Sequence, residues 1–106
     1  MITSDRLKQL MEFAAEITFS VNGSDKYKFC HMGKSLNEKT SEDVYWFGLT
    51  SDGKNAFDYP TFEEFTSAKV FDGKSLFEIW DDVTFLEINA CDPTEMIEIY
   101  LSKPVN

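Results

Sequence analysis

From Ile17 onward, apolar residues in this chain recur at every second position, and that alternation restricts the fold more than any other feature of the sequence. Ile17, Phe19 and Val21 alternate with Thr18, Ser20 and Asn22, as in a strand with one buried face. Asn22-Gly23-Ser24-Asp25 supplies turn residues. Tyr27, Phe29 and His31 then alternate with Lys26, Lys28 and Cys30, which predicts the returning arm of a hairpin. Residues 33–43 are polar and read as a loop. Residues 44–50 read as a third strand, Asp52-Gly53 as a turn, and residues 56–59 as a fourth strand ended by Pro60. Residues 83–88 form a fifth.

Helical spacing appears in three places. Residues 4–15 predict a helix, with Ser4 as cap, Asp5 at the positive end of the dipole, and Leu7, Leu10, Met11 and Ala14 on one face. Thr61 with Glu64, and Ser75 with Glu78, each match a capping box and predict two short helices. Phe62 and Phe65 would face inward on the first, and Leu76, Ile79 and Trp80 on the second. Asp92-Pro93 with Glu95 is compatible with a helix start. Against it, Ile97, Ile99 and Leu101 alternate with Glu98, Tyr100 and Ser102, which favours a last strand. The expectation is one domain, residues 1–106, of the α+β class: an N-terminal helix, a mostly antiparallel sheet of five to six strands, and two short helices on one face.

A hydrophobic content of 42%, with ten Phe, four Tyr and two Trp, excludes a disordered chain. No apolar run approaches the roughly 20 residues that span a bilayer, so no membrane partner is expected. The first residues, Met1 to Arg6, lack a basic region followed by an apolar stretch, which predicts a cytoplasmic protein with Cys30 and Cys91 reduced. Asn22-Gly23-Ser24 matches a glycosylation acceptor, but in that setting it is a turn. The net charge is −9 and uneven: residues 1–53 hold eight acidic and six basic side chains, residues 54–106 eleven and four. Direct nucleic-acid binding requires phosphate neutralisation by Lys and Arg, which the second half is poorly equipped to provide. An acidic field of this kind serves either solubility alone or fast encounter with basic partners.

The recurring motifs do not carry enzyme chemistry. Gly-Lys-Ser-Leu occurs at residues 33–36 and 73–76, yet a phosphate loop needs a glycine five positions earlier, where Lys28 and Ala68 stand. Asp52-Gly53 and Asp72-Gly73 are preceded by Gly48 and Thr50, and by Ala68 and Val70, in place of calcium ligands. Cys30 and His31 pair a nucleophile with a base, but strand neighbours point to opposite faces. One His and two Cys fall short of a structural zinc set. No cofactor, metal site or catalytic residue is therefore predicted.

The most distinctive constellation is acidic: Glu63, Glu64, Asp72, Glu78, Asp81, Asp82 and Glu87. A helical turn places Glu78 beside Asp81 or Asp82, a like-charge spacing that opposes helix stability unless something positive lies nearby. Paired carboxylates suit acid–base chemistry, magnesium, a solvated face, or docking of a basic partner, where complementarity sets specificity and on-rate. Trp46 and Trp80 are candidate interface anchors. The spacing of Trp80 from Leu76 favours the core, whereas the strand Tyr45-Trp46-Phe47 must turn aromatic surface outward on one side.

The stretch Phe62-Glu63-Glu64-Phe65, continuing through Ala68-Lys69-Val70-Phe71-Asp72-Gly73-Lys74-Ser75-Leu76-Phe77-Glu78-Ile79-Trp80, resembles a segment of short, uncharacterised bacterial and mobile-element proteins. In size and acidity the chain is similar to phage-encoded anti-CRISPR and anti-restriction inhibitors. The excess of carboxylates in the second half motivates the leading expectation, a non-enzymatic inhibitor whose acidic face would occupy the nucleic-acid channel of a basic effector such as a nuclease. The alternatives are an immunity protein for a cognate toxin, a small ligand-binding domain, and an oligomeric accessory protein pairing across a two-fold through Tyr45 to Phe47.

Overall fold

A computed structural model describes residues 2–52 and 54–102. The fold is α+β, with helices α1 (Ser4–Met11), α2 (Phe62–Ser67) and α3 (Pro93–Leu101), a 3-10 helix (Phe77–Asp82), and strands β1 (Ile17–Val21), β2 (Cys30–Leu36), β3 (Asp43–Gly48), β4 (Ala56–Tyr59) and β5 (Val83–Ile88). The strands form one antiparallel sheet in the order β4-β3-β2-β1-β5. The chain thus runs hairpin by hairpin to one edge. It then crosses over the sheet through α2 and the 3-10 helix to lay β5 against β1.

Alternation decides which face is covered. Ile17, Phe19, Cys30, Met32, Tyr45, Phe47, Val83, Phe85 and Ile88 are buried beneath Leu7, Leu10 and Met11 of α1 and Phe62 and Phe65 of α2. Phe47 stacks on Phe65 with centroids 4.1 Å apart, and Tyr45 meets Phe62 edge-on. The opposite face carries Thr18, Ser20, His31, Trp46, Asp58, Thr84 and Glu87, none of them buried, and has no helix on it among the described residues. β3 has β2 on one side and β4 on the other, so Tyr45 to Phe47 cannot pair by backbone across a two-fold.

Four expectations need correction. The last segment is a helix, because Asp92 caps it by accepting from the Glu95 N–H and Pro93 occupies its first position. Met96, Ile97, Tyr100 and Leu101 then form an inward stripe at helical spacing, while Ile99, part of the apparent alternation, is 48% exposed. The strand expected over Tyr27 to His31 begins only at Cys30. Tyr27 is buried separately, its ring edge-on to Phe71, and Phe29 is 71% exposed, so the inward phase slips before Cys30 and Met32 take it up. Residues 33–36, read as loop, extend β2. Finally, α1 stops at Met11 with Thr3, not Ser4, as its cap, and the chain turns at Glu12 and Phe13.

The turns follow their residue types. Asp72 and Gly73 both have positive φ, at 53° and 86°, and Phe71 and Lys74 exchange two backbone hydrogen bonds across them. Asn89 and Ala90 repeat this form, at 52° and 63°. At Asp52-Gly53 the glycine lies outside the described residues, while Asp52 accepts from the Thr50 hydroxyl and the Lys54 N–H.

Gly33 is required by close approach. A Cβ there would sit 2.2 Å from the Ala15 carbonyl oxygen and 2.6 Å from the Trp46 ring. At Gly48 the nearest atoms would be 3.9 and 4.0 Å away. Gly33→Ala is expected to cost more than about 3 kcal/mol, since a backbone carbonyl must move to relieve the overlap. Gly48→Ala should stay within about 1 kcal/mol of wild type. Urea denaturation of both variants checks this. Ala90→Gly should stabilise by about 0.5 kcal/mol, because alanine resists the left-handed conformation its turn imposes, and the same titration measures it.

Candidate functional site

Each carboxylate of the acidic set is exposed, but the fold distributes them. Glu63 and Glu64 occupy the first turn of α2, where the helix dipole favours them, and Glu63 lies 3.9 Å from Lys8 of α1. Asp72 sits at its turn and accepts from Lys26 and from the Tyr27 hydroxyl, each at 3.1 Å. Those bonds, the Lys26 one foremost, hold its carboxyl below the usual range. Asp72 and Asp82 both line a shallow hollow of about 230 Å³ with Tyr27 and Lys74. Glu78 is the most committed of the set. It bonds to Lys69 and accepts from the Ser75 N–H, but the segment is a 3-10 helix capped at Leu76 with no side-chain bond, so the capping box expected of Ser75 and Glu78 is only half formed. Lys69, followed by the Ser75 amide, pulls its pKa down to about 2. Glu87 points from β5 toward the open face, opposite Thr18.

The single continuous patch expected from sequence is therefore divided. Glu63, Asp72 and Glu78 are each neutralised by a lysine, whereas Glu64, Asp81, Asp82 and Glu87 make no ion pair among the described residues. The helical form of α3 adds carboxylates that the strand reading had not joined. Asp92, Glu95 and Glu98 stand three residues apart, exposed, on one side of a helix. Between Ser75 and Ser102 the chain holds seven carboxylates and no Lys, Arg or His. This stretch is the 3-10 helix, β5 and α3, which lie together because α3 packs on β5 at the edge of the sheet. The gap in cations was legible in the sequence. The alignment of Asp92, Glu95 and Glu98 was not, because it depends on the helix.

Lysines on the other side are taken up by local contacts. The Lys34 side chain, 14% exposed, lies 2.6 Å from Glu12 and 3.5 Å from Asp43, with its ammonium over the Tyr45 ring. This ties the end of α1 to β2 and β3 and leaves the first Gly-Lys-Ser-Leu copy a structural role. Cys30 and His31 lie on opposite faces of the sheet. The Cys30 thiol is buried, donates to the Leu49 carbonyl, and is pushed by burial up to about 12. Nδ1 of His31 shares a 3.2 Å hydrogen bond with the Thr18 hydroxyl and lies 3.9 Å from Glu16. Cys91 is exposed at the β5–α3 turn. Trp80 is partly buried, with its indole N–H donating to the Ile2 carbonyl and its ring edge-on to Phe77 and Phe85. Among the described residues, no three His, Cys, Asp or Glu side chains converge to hold a metal ion, and no helix is long and apolar enough to cross a membrane.

The Glu78 contacts give stability a pH dependence. A carboxyl depressed from 4.5 to about 2 in the folded chain contributes fully above 4.5, and the contribution fades as pH falls toward 2. Urea midpoints should therefore drop across that window, and Glu78→Gln should flatten the drop while lowering the midpoint near neutral pH. Equal slopes for the two proteins would show that Lys69 and Ser75 do not hold the carboxylate in solution. Comparison with protein-family models, with curated proteins and with solved structures gives no match to this chain.

Proposed function

We propose that this protein is a non-catalytic inhibitor that docks a basic, nucleic-acid-binding effector against the flank formed by the 3-10 helix, β5 and α3. One observation carries the reading: the run of seven carboxylates without a cation from Ser75 to Ser102, of which only Glu78 is paired among the described residues. Glu95 and Glu98 are about 4.5 Å apart along the axis of α3, with Asp92 at its cap. A DNA strand presents one phosphate per about 3.4 Å of axis. The linear charge density of this helix thus approaches that of the ligand the effector already binds. A groove that neutralises phosphates would meet carboxylates at similar spacing, and association would be steered over long range.

The test is capture of the partner from host lysate, followed by affinity measurement at increasing salt. Binding should weaken by at least tenfold between about 50 and 200 mM salt, as expected where several charge contacts form. The triple reversal Asp81→Lys, Asp82→Lys, Glu98→Lys should abolish inhibition while leaving the fold intact, since none of the three makes an ion pair among the described residues. Glu78 is left out because its bonds to Lys69 and Ser75 are structural. Undiminished inhibition by the triple variant would refute the reading. A captured toxin would favour an immunity protein over a nuclease inhibitor.

A further inference from the structure

On the uncovered face of the sheet the largest side chain, Trp46, is held in a defined pose. Trp46 stands directly opposite Gly33 on β2 and Asp58 on β4. Its Cζ2 and Cε2 atoms fill the space a Cβ on Gly33 would take, and Cζ3 lies 3.9 Å from the corresponding point on Gly48. The indole is therefore laid along the sheet over two glycines, and as a half-buried residue it turns its other surface to solvent. Asp58, which shares its face as a cross-strand partner, is exposed, and its carboxylate makes no ion pair or side-chain hydrogen bond among the described residues. A hollow of about 280 Å³ adjoins it, lined by Glu42, Val44, Asp58 and Tyr59 among others. The outward positions of the five strands include Asp58 and Glu87 and no lysine or arginine, because Lys34, paired with Tyr45, belongs to the helical side.

We propose that this open face is a second docking surface, and that its occupant is an arginine-bearing segment of the basic protein partner. The guanidinium stacks on the exposed face of Trp46 and donates to the Asp58 carboxylate. The proposal rests on the reading that the partner is basic, and adds which side chain it presents and where. Arginine fits better than lysine because a planar cation can lie on an indole and bond a carboxylate at its edge together. Nucleic acid is disfavoured because the outward strand positions hold no lysine or arginine to neutralise a phosphate. A second copy is disfavoured because each chain brings a net charge of −9 and the same carboxylates.

The test uses the whole protein, arginine and lysine hexapeptides of equal charge, and the indole N–H resonances of Trp46 and Trp80, assigned with Trp46→Phe. The arginine peptide should shift the Trp46 resonance and leave that of Trp80 in place. Trp46→Ala and Asp58→Asn should each weaken its binding about fivefold, and the lysine peptide should bind about threefold less tightly. Asp58→Asn keeps the shape of the side chain, so it remains informative if Trp46→Ala uncovers Gly33 and fails to fold. An unmoved Trp46 resonance, with Asp58→Asn within about twofold of wild type, overturns the proposal. If the Asp81, Asp82, Glu98 triple reversal then removes binding, the acidic flank stands alone as the docking site. If Asp58→Asn weakens binding and the triple reversal does not, the open face stands and the flank reading falls. Binding of neither peptide overturns both. A dimer in sedimentation equilibrium that Trp46→Phe or Trp46→Ala dissociates would assign the face to a second copy and also overturn the proposal.

Discussion

The ring of Phe47 packed against the ring of Phe65, 4.1 Å apart and 19° from parallel, joins the middle of the sheet to the layer above it. Phe47 also meets Tyr59 and Phe71 edge-on, and Phe71 extends the contact to Phe19 and Tyr27. Each such pair contributes about 0.5–1.5 kcal/mol beyond the area it buries. Together they fix the path of the chain after β4. With Phe65 and Phe71 both held down on the sheet, residues 60–82 can only run across it, and β5 emerges at the far edge beside β1. The neighbours of β5, and hence the position of the acidic flank, follow from this aromatic contact more than from any charge.

Placing the aromatic mass in one layer has a consequence for the other. Outward positions on the strands hold Thr18, Ser20, Gly33, Gly48, Ala56 and Thr84, residues too small or polar to build a second core. Trp46 is the exception, and it lies flat only because Gly33 leaves room beneath it. The cations are likewise concentrated. Lys34, Lys26 and Lys69 each join separate elements by reaching a carboxylate, and Lys8 reaches Glu63. They stand in the first half of the chain or at the crossing, and after Glu78 the carboxylates up to Ser102 have no ion-pair partner among the described residues.

Much of this was readable beforehand, and the failures have a common cause. β1, β4, β5 and α2 follow local rules: alternation bounded by turn residues, or a cap followed by inward aromatics. Tyr27 to His31 alternates equally well, but the bonds of Tyr27 to Phe71 and Asp72, over forty residues away, break the phase before the strand begins. In α3, residues 97, 99 and 101 alternate while residues 96, 97, 100 and 101 fit a helix. The cap at Asp92 and the stacking of Tyr100 on Phe13 of the α1–β1 turn decide between them. That the 45–47 strand exposes aromatic surface was legible. That Trp46 shares a face with Asp58 and covers Gly33 was not, because register across three strands is set by distant turns.

The acidic flank is costly to the chain that carries it. Asp92 and Glu95 suit the start of α3, while Glu98 lies in its last turn, where the dipole favours a cation and Arg6 of α1 supplies one by donating to the Leu101 carbonyl at 3.4 Å. Carboxylates three residues apart repel one another. A surface shaped by solubility alone would intersperse both signs, since mixed charge keeps a protein soluble without self-repulsion. Here no Lys, Arg or His stands between Ser75 and Ser102, and the cation that meets the end of α3 comes from α1. Asp81, Asp82 and Glu87 have no ion-pair partner among the described residues, so their mutual repulsion is left to water and salt to screen.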